Sequence, residues 1–335
     1  MAGAVTFPVR APHWILTYQG VDITTNIARM VTAITYQDCL DGASGALEVE
    51  LEDHDKRWQG DWQPAEGDLI NLMIGYAGES LLPCGDFQVD ELSLSGPPDV
   101  LHLRCLAAYI TPAMRTHNSV GYENQTLTQL AETIAAKYGL TMVAASGISN
   151  MSFARVTQRH ETDLAFLRRL AHAHNYEFTV RGKQMVFYSR TSLEAAAPVA
   201  TIGRSDLLHF AFRLKTHRVY RAAQVSYQLR ERKQLVTQSI AAAPTIPTSD
   251  TLKLTVRCEN GQQATLKATS ALHEANMVRT SASFRASGAI AFTAGNTFMI
   301  TGFGFNDGKY LIESARHRLE RASGYTTDFE ARRVD

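Results

Sequence analysis

Carboxylates, histidines and glycines at close spacing are the residues of this chain that could carry chemistry. Glu52-Asp53-His54-Asp55 groups three acids with an imidazole, the donor types of a metal site or a general base. The run passes directly into Lys56-Arg57, so it reads as a solvated turn at the end of a strand. Glu48, Glu50 and Glu52 alternate with Leu47, Val49 and Leu51. In a strand the three glutamates share one face, with neighbours ~6.6 Å apart. That spacing could serve paired carboxylates; the plainer expectation is an acidic strip, exposed or facing a lumen. His172-x-His174 falls near a helix end, where residues two apart do not face each other, which speaks against joint zinc ligation. Arg168-Arg169 and Arg230-Glu231-Arg232-Lys233 are short basic runs that read as solvated faces. The run Gly302-Phe-Gly-Phe-Asn-Asp-Gly308 invites comparison with a phosphate-cradling loop, which needs a strand before it and a helix after it. Lys309–Arg316 is rich in aromatic and branched residues and Asn306-Asp307-Gly308 is turn chemistry, so a hairpin is expected.

The sequence carries no Gly-x-Ser-x-Gly, His-Glu-x-x-His or phosphate-loop pattern. Cys39, Cys84, Cys105 and Cys258 are far apart with no Cys-x-x-Cys pair, and reduced structural thiols are expected. No cofactor, metal or active site is expected. Among the 335 residues, Lys+Arg and Asp+Glu both number 33, a balance that gives no sign of a nucleic-acid or acidic-membrane partner. No run approaches the ~18 apolar residues that span a bilayer. The N-terminal stretch lacks a charged start and a long apolar core, so no signal peptide is expected.

The elements that would position these residues are mostly strands. Trp14–Tyr18, Met30–Tyr36, Ala46–Glu52, Leu69–Ile74, Phe87–Leu94 and Val100–Leu106 are short runs separated by turn residues, as in a barrel or sandwich. After Thr111-Pro112 the period changes. Leu127, Leu130, Ile134 and Tyr138 form one helical stripe, Thr126-x-x-Gln129 is a capping box, and Gly139 suits the end. A second helix starts at Thr162-Asp163, and Glu177–Val180 with Gln184–Tyr188 predicts a hairpin. Strands return at Leu208–Phe212, Ala223–Gln228 and Thr251–Val256. Asn260-Gly261 reads as a turn, a long helix is predicted from about Gln263 to Ala286, and the final strands start at Ile290.

An internal echo organises the whole. Gly67-Asp-Leu-Ile-Asn-Leu-Met-Ile-Gly75 and Gly85-Asp-Phe-Gln-Val-Asp90 match Gly295-Asn-Thr-Phe-Met-Ile-Thr-Gly302 and Gly308-Lys-Tyr-Leu-Ile-Glu313. The expected fold class is α+β, mainly β, with two related β-barrel domains around a small α+β insert. The expected bounds are 1–110 for the first barrel, 111–199 for the α+β domain, 200–235 with 288–335 for the second barrel, and 236–287 for a loop-strand-helix insertion. Gly67, Gly85, Gly295 and Gly308 are the expected structural turns.

The order of motifs resembles the late control protein D family of contractile phage tails, the baseplate hub proteins, which are similar to the N-terminal part of valine-glycine repeat protein G spikes of type VI secretion. The residues that carry it are Gly20-Val-Asp-Ile-Thr-Thr-Asn-Ile27, Leu47-Glu-Val-Glu-Leu-Glu-Asp53, Gly85-Asp-Phe-Gln-Val-Asp-Glu91 and Gly96-Pro-Pro-Asp-Val100. They continue with Glu161–Ala171, with Tyr310-x-Ile312 leading to His317, and with Gly324-Tyr-Thr-Thr-Asp-Phe-Glu330. One departure is 236–262, where some members carry a longer Lys-rich insertion; this leaves the contacts of that region open.

The resemblance implies a homotrimer, a structural and non-enzymatic adaptor in which six barrels approximate sixfold symmetry. Its partners would be a central spike protein, a tail tube or tube-initiator protein, other baseplate proteins and a tape measure protein, with no specific nucleic acid binding and no membrane insertion. It would sit in the virion tail baseplate after assembly in the bacterial host cytoplasm. Glu48, Glu50 and Glu52 are candidates to line its channel. The alternatives are a tail-associated peptidoglycan hydrolase and a carbohydrate-binding adsorption module, for which Trp58 and Trp62, close together in a loop, would be the contact residues.

Overall fold

Two-residue alternation of apolar and polar side chains sets most of this chain into strands, and the computed structural model describes residues 10–42, 45–144, 148, 151–229, 234–241, 248–256 and 258–334. The N-terminal part holds β1 (Pro12–Tyr18), β2 (Val21–Asp22), the one-turn helix α1 (Thr24–Ile27), β3 (Val31–Cys39), β4 (Ala46–Glu52), β5 (Leu69–Tyr76), β6 (Leu82–Ser95) and β7 (Val100–Ala107). The middle holds β8 (His117–Thr126), α2 (Leu127–Lys137), β9 (Thr141–Ala144), β10 (Ser152–Thr162), α3 (Asp163–Ala173), β11 (Tyr176–Arg181), β12 (Gln184–Ser189) and α4 (Arg190–Ala195). The C-terminal part adds β13 (Thr201–Gly203), β14 (Leu207–Leu214), β15 (Ala222–Leu229), β16 (Gln234–Ala241), β17 (Thr251–Thr255) and α5 (Gly261–Met277). It ends with β18 (Thr280–Ser287), β19 (Thr297–Thr301), β20 (Gly308–Glu320) and β21 (Gly324–Val334). The fold is mainly β, as expected.

Thirteen strands make one sheet in the order β14-β18-β21-β20-β3-β4-β7-β6-β5-β1-β2, with β19 on β20 and β13 on β19. Two separate barrels are expected from the sequence; among the described residues the pairing is continuous and no sheet closes on itself. The physical reason is the length of β20. Its first residues pair with β19, a bulge falls between Ile312 and Ser314, and Ser314–Glu320 then pair with β3. One strand therefore belongs to both halves.

Each half has its own core. Ile34, Leu47, Val49, Leu51, Ile70, Leu72 and Phe87 are buried in the first, and Phe284, Phe298, Tyr310, Ile312 and Phe329 in the second. The middle unit packs α2 and α3 on the sheet β11-β12-β9. Thr126 caps α2 with Gln129 as a reciprocal capping box, and Thr162 caps α3. Asp163, at the first position of α3, is buried and accepts from Tyr138 (2.6 Å), Gln158 (2.7 Å), Lys137 (2.9 Å) and Asn118 (3.0 Å). Burial would raise this carboxyl, but these four donors together hold it below the usual range.

Three further expectations are corrected. β15 falls within the 200–235 segment expected in the second barrel, but it pairs with β16 and β17 in a separate three-stranded sheet. The helix predicted to run to Ala286 ends at Met277, and Thr280–Ser287 is a strand in the main sheet, between β14 and β21. Ala282, Phe284 and Ala286 alternate inward there, a two-residue period that the Ala/Ser/Thr content hides. Asn260-Gly261 is a helix start rather than a turn: the Asn260 side chain accepts from the Gln263 N–H as an N-cap. The basic run at Arg230–Lys233 and residues 242–247 of the Pro/Thr loop lie outside the described residues.

The run at Gly302–Gly308 joins β19 to β20, and the Asp307 carboxylate accepts from the Phe303 (2.6 Å) and Gly302 (3.3 Å) N–H groups. Gly308 has φ +148° and an added Cβ would meet only the Arg333 guanidinium, at 3.3 Å. Gly308→Val is therefore expected to cost about 1–2 kcal/mol through the backbone alone. A melting curve unchanged from wild type would contradict that assignment.

Candidate functional site

The four glycines singled out by the sequence stand at corresponding places in two copies of one strand arrangement. Gly67 (φ +85°) and Gly295 (φ +93°) precede β5 and β19, while Gly85 (φ +105°) and Gly308 (φ +148°) lie in β6 and β20. Leu72 pairs with Gly85 and Ile70 with Phe87; Ile300 pairs with Gly308 and Phe298 with Tyr310. The Gly67 N–H donates to the Val89 carbonyl (2.8 Å) and the Gly295 N–H to the Ile312 carbonyl (2.9 Å). Counted from Gly85 and from Gly308, these carbonyls belong to the same position. The correspondence continues outward. β6 bulges between Val89 and Glu91 against β7, and β20 between Ile312 and Ser314 against β21. β7 then pairs with β4 and β4 with β3; β21 pairs with β18 and β18 with β14. Both β3 and β14 bulge after their first residue, at Val31/Ala33 and Leu207/His209. A bulge is a specific local device, and its recurrence at matching positions is independent of the glycine match.

Glu48, Glu50 and Glu52 share one face of β4, opposite the buried Leu47, Val49 and Leu51. Their neighbours across the sheet are less acidic than the strip alone. Glu48 pairs across the ladder with Thr35 and Arg104, and Glu50 with Ala33 and His102. The Glu50 carboxylate lies 3.8 Å from His102, and Glu52 meets Arg321 at 2.9 Å and His54 at 3.5 Å. The same face continues onto β20, β21 and β18 with Arg316, Arg318, Asp328, Glu330 and Arg285, where it forms a polar groove of about 570 Å³. The result is a mixed-charge surface running across both halves.

The other candidates separate. Asp53 is buried and its carboxylate accepts from the Trp58 N–H (3.2 Å) and Gln59 (3.1 Å), so it caps a short turn, while His54 and Asp55 are exposed. Trp58 is buried with its ring edge-on to Trp62 at 5.5 Å; the two border an apolar pocket of about 280 Å³ that opens from the N-terminal core to the surface. His174 is buried and its Nδ1 lies 2.8 Å from the Leu170 carbonyl, turned to a different task from His172.

His172 instead joins a charge cluster that links three parts of the chain. Its Nε2 lies 3.1 Å from Asp41, in the loop after β3, and 3.2 Å from Glu177 of β11. Arg168 closes on Asp41 at 2.5 Å and Arg190 on Glu177 at 2.7 Å. Glu274 of α5 stands 3.9 Å from His172, and the Ser270 hydroxyl donates to the His172 carbonyl. Asp41, His172 and Glu177 are spaced as metal ligands could be. Both carboxylates are already engaged by guanidinium groups, whose positive charge opposes a cation, so the donor set fits an ion-pair network. The sequence singles out His172, whereas Asp41 lies between two strand runs with no functional signal of its own. Nothing local marks its partner 131 residues later.

Burial alone would lower the imidazole and raise both carboxyls, but the close approach of the imidazole to the two carboxylates, at 3.1 and 3.2 Å, prevails. His172 is raised to about 9, and Asp41 and Glu177 are held below the usual carboxylate range. The stability contributed by His172 is therefore full below its ordinary value of 6.5 and is lost as pH rises through about 9. That contributed by the carboxylates is present above 4.5 and is lost as pH falls further. The melting-temperature difference between wild type and His172→Gln is expected to be largest between pH 4.5 and 6.5. A difference that grows above pH 9 would contradict the cluster.

Comparison with known proteins gives a consistent picture. The family model described as phage tail baseplate hub (GPD) matches residues 99–323. The chain is 29% identical over 200 residues to the probable baseplate hub protein of Escherichia phage 186, covering 58% of this chain and 51% of that one. The chain spans about half the length of the curated relatives it matches. Among solved structures, the 43 kDa tail protein of prophage MuSo2 from Shewanella oneidensis has a TM-score of 0.74 at 14% identity, over 97% of this chain and 99% of that one. An E. coli component of the type VI secretion system has a TM-score of 0.58 at 13% identity, over 96% and 77%. At these identities the structural likeness speaks to the fold.

Proposed function

Because the chain belongs to the phage tail baseplate hub (GPD) family, we propose that it is a structural, non-enzymatic hub that joins a sixfold tail tube to a threefold central spike. Three chains would close a ring, each contributing two related β units. The observation that carries this reading is the repeated strand register, with glycines and bulges at matching positions in both halves. Two similar but unequal units per chain give six near-equivalent positions only when three chains close, so one ring can present both symmetries. On this reading the chain divides into a first β unit, the α+β unit and a second β unit. β18 belongs to the last of these, and the sheet β16-β15-β17 with α5 stands as an insertion.

The ring would act in the virion tail baseplate after assembly in the host cytoplasm. Its partners would be the spike, the tube or its initiator, other baseplate proteins and the tape measure protein. It would have no specific nucleic acid contact, no membrane insertion and no cofactor. The mixed-charge face carrying Glu48, Glu50 and Glu52 would line the axial channel, where a polar wall without large apolar patches favours passage over adhesion. The mass of the purified chain in solution tests the reading. Three chains per particle, unaffected by chelator, are expected; a hexamer, or a monomer at every concentration, would overturn it. A glycan array and a cell-wall turbidity assay separate the hub from the carbohydrate-binding and hydrolase alternatives.

A further inference from the structure

The seam inside the chain shows what two free edges of the same sheet lack. Beyond its bulge, β20 pairs through Ser314–Glu320 with β3, Arg316 opposite Gln37 and His317 opposite Tyr36. By the register correspondence, the stretch of β6 that matches Ser314–Arg318 is Glu91–Ser95, and the strand that matches β3 is β14. Glu91–Ser95 pair with β7 on one side, and β14 pairs with β18 on one side. Among the described residues neither has a partner on its other side.

Burial follows the same division. At the seam Ala315 is 1% exposed, His317 0%, Tyr36 7% and Asp38 6%. Their counterparts on the free edges are Leu92, Leu94, Phe212 and Leu214. Leu92 and Phe212 are half-buried, while Leu94 is 49% and Leu214 57% exposed. Apolar side chains thus stand open at the positions that the internal seam covers. Proteins normally blunt an open apolar edge, because unpaired N–H and C=O groups recruit another strand.

We propose that Glu91–Ser95 of one copy pairs antiparallel with Ala211–Lys215 of a second copy, in the register of the internal seam. Glu91 then lies opposite Lys215, Ser93 opposite Arg213, and Ser95 opposite Ala211. The acid–base pairing of Glu91 with Lys215 favours this register, since opposite charges directly across a ladder attract. Each chain offers one edge of each kind, so copies join head to tail. Such a contact closes into a ring when the rotation allows. The proposal rests on the trimeric hub reading and supplies the contact that would hold the trimer.

The test uses the full chain carrying Ser93→Cys and Arg213→Cys together, with the solution mass of the unmodified chain read alongside. Residues directly opposite in an antiparallel pair lie within disulfide reach, ~4.5–5.5 Å between Cα atoms. Mild oxidation is expected to give a ladder ending at a covalent trimer on a non-reducing denaturing gel. It should be absent from each single variant and from Gln88→Cys with Arg213→Cys, because Gln88 is paired on both sides by β5 and β7. Leu214→Asp is expected to leave the circular dichroism spectrum unchanged and to reduce the trimer fraction at least tenfold. A trimeric mass without the cross-link, or a trimer that survives Leu214→Asp undiminished, overturns the pairing and leaves the ring standing. A chain that is monomeric at every concentration overturns the ring and the pairing together.

Discussion

Replacing Glu177 with alanine is expected to cost the fold about 3–5 kcal/mol, the range for removing one member of a buried ion pair. Arg190 is 1% exposed and its Nε lies 2.7 Å from Glu177, itself almost fully buried. Without that carboxylate, the ion-pair partner left to the guanidinium among the described residues is Glu274, at 3.9 Å and half exposed. The charge cannot move to water, and arginine does not shed its proton. His172 loses a partner in the same step, so the damage reaches the contact with Asp41. Replacing Glu177 and Arg190 together by leucine and methionine should recover most of the loss, because a pair of apolar side chains leaves no uncompensated charge. Urea unfolding of the single and double variants measures this. A single variant as costly as the double, or a loss under 1 kcal/mol, would show that the pair is not what the geometry implies.

Phe298→Ala should be comparably severe, about 3–5 kcal/mol. The ring is fully buried in the C-terminal half, with Phe284 at 5.6 Å, Phe329 at 5.4 Å, Tyr310 at 6.0 Å and Phe292 at 6.3 Å between centroids. Phe284, Tyr310 and Phe329 sit on strands fixed by ladder hydrogen bonds, so they cannot collapse into the space left behind. Phe298→Leu fills more of that volume and should cost about half as much. The prediction fails if thermal melting of Phe298→Ala stays within a few degrees of wild type.

Which features were legible in the sequence follows from how local their causes are. The helices α2 and α3 were readable because Thr126, Gln129 and Thr162 cap them within one turn and the stripe of Leu127, Leu130 and Ile134 repeats at short range. The alternation of β4 was readable for the same reason, and its glutamates do share a face. Their partners, Arg104 and His102 of β7 and Arg321 of the turn after β20, are distant in sequence and leave no mark near residue 50. β18 was hidden because small residues suit a helix or a strand equally; its fate is decided by pairing with β14 and β21. The fusion of two expected barrels into one sheet could not be read from either repeat alone. It depends on β20 meeting β3, an encounter between segments far apart in sequence.

That encounter also sets an order in time. The Arg316 side chain donates to the Gln37 side chain across a separation of 279 residues, so β3 is synthesised long before the strand that completes its edge. At a translation rate of ~5–20 residues per second, the interval is on the order of tens of seconds. Throughout it, the nascent chain carries an open ladder that a neighbouring ribosome's product could occupy. Thr35 and Gln37 keep one face of that waiting strand polar, while its apolar side chains can already pack against β4. Joining the two halves is thus a late event in the life of each molecule, and its timing separates folding of the first unit from completion of the shared sheet.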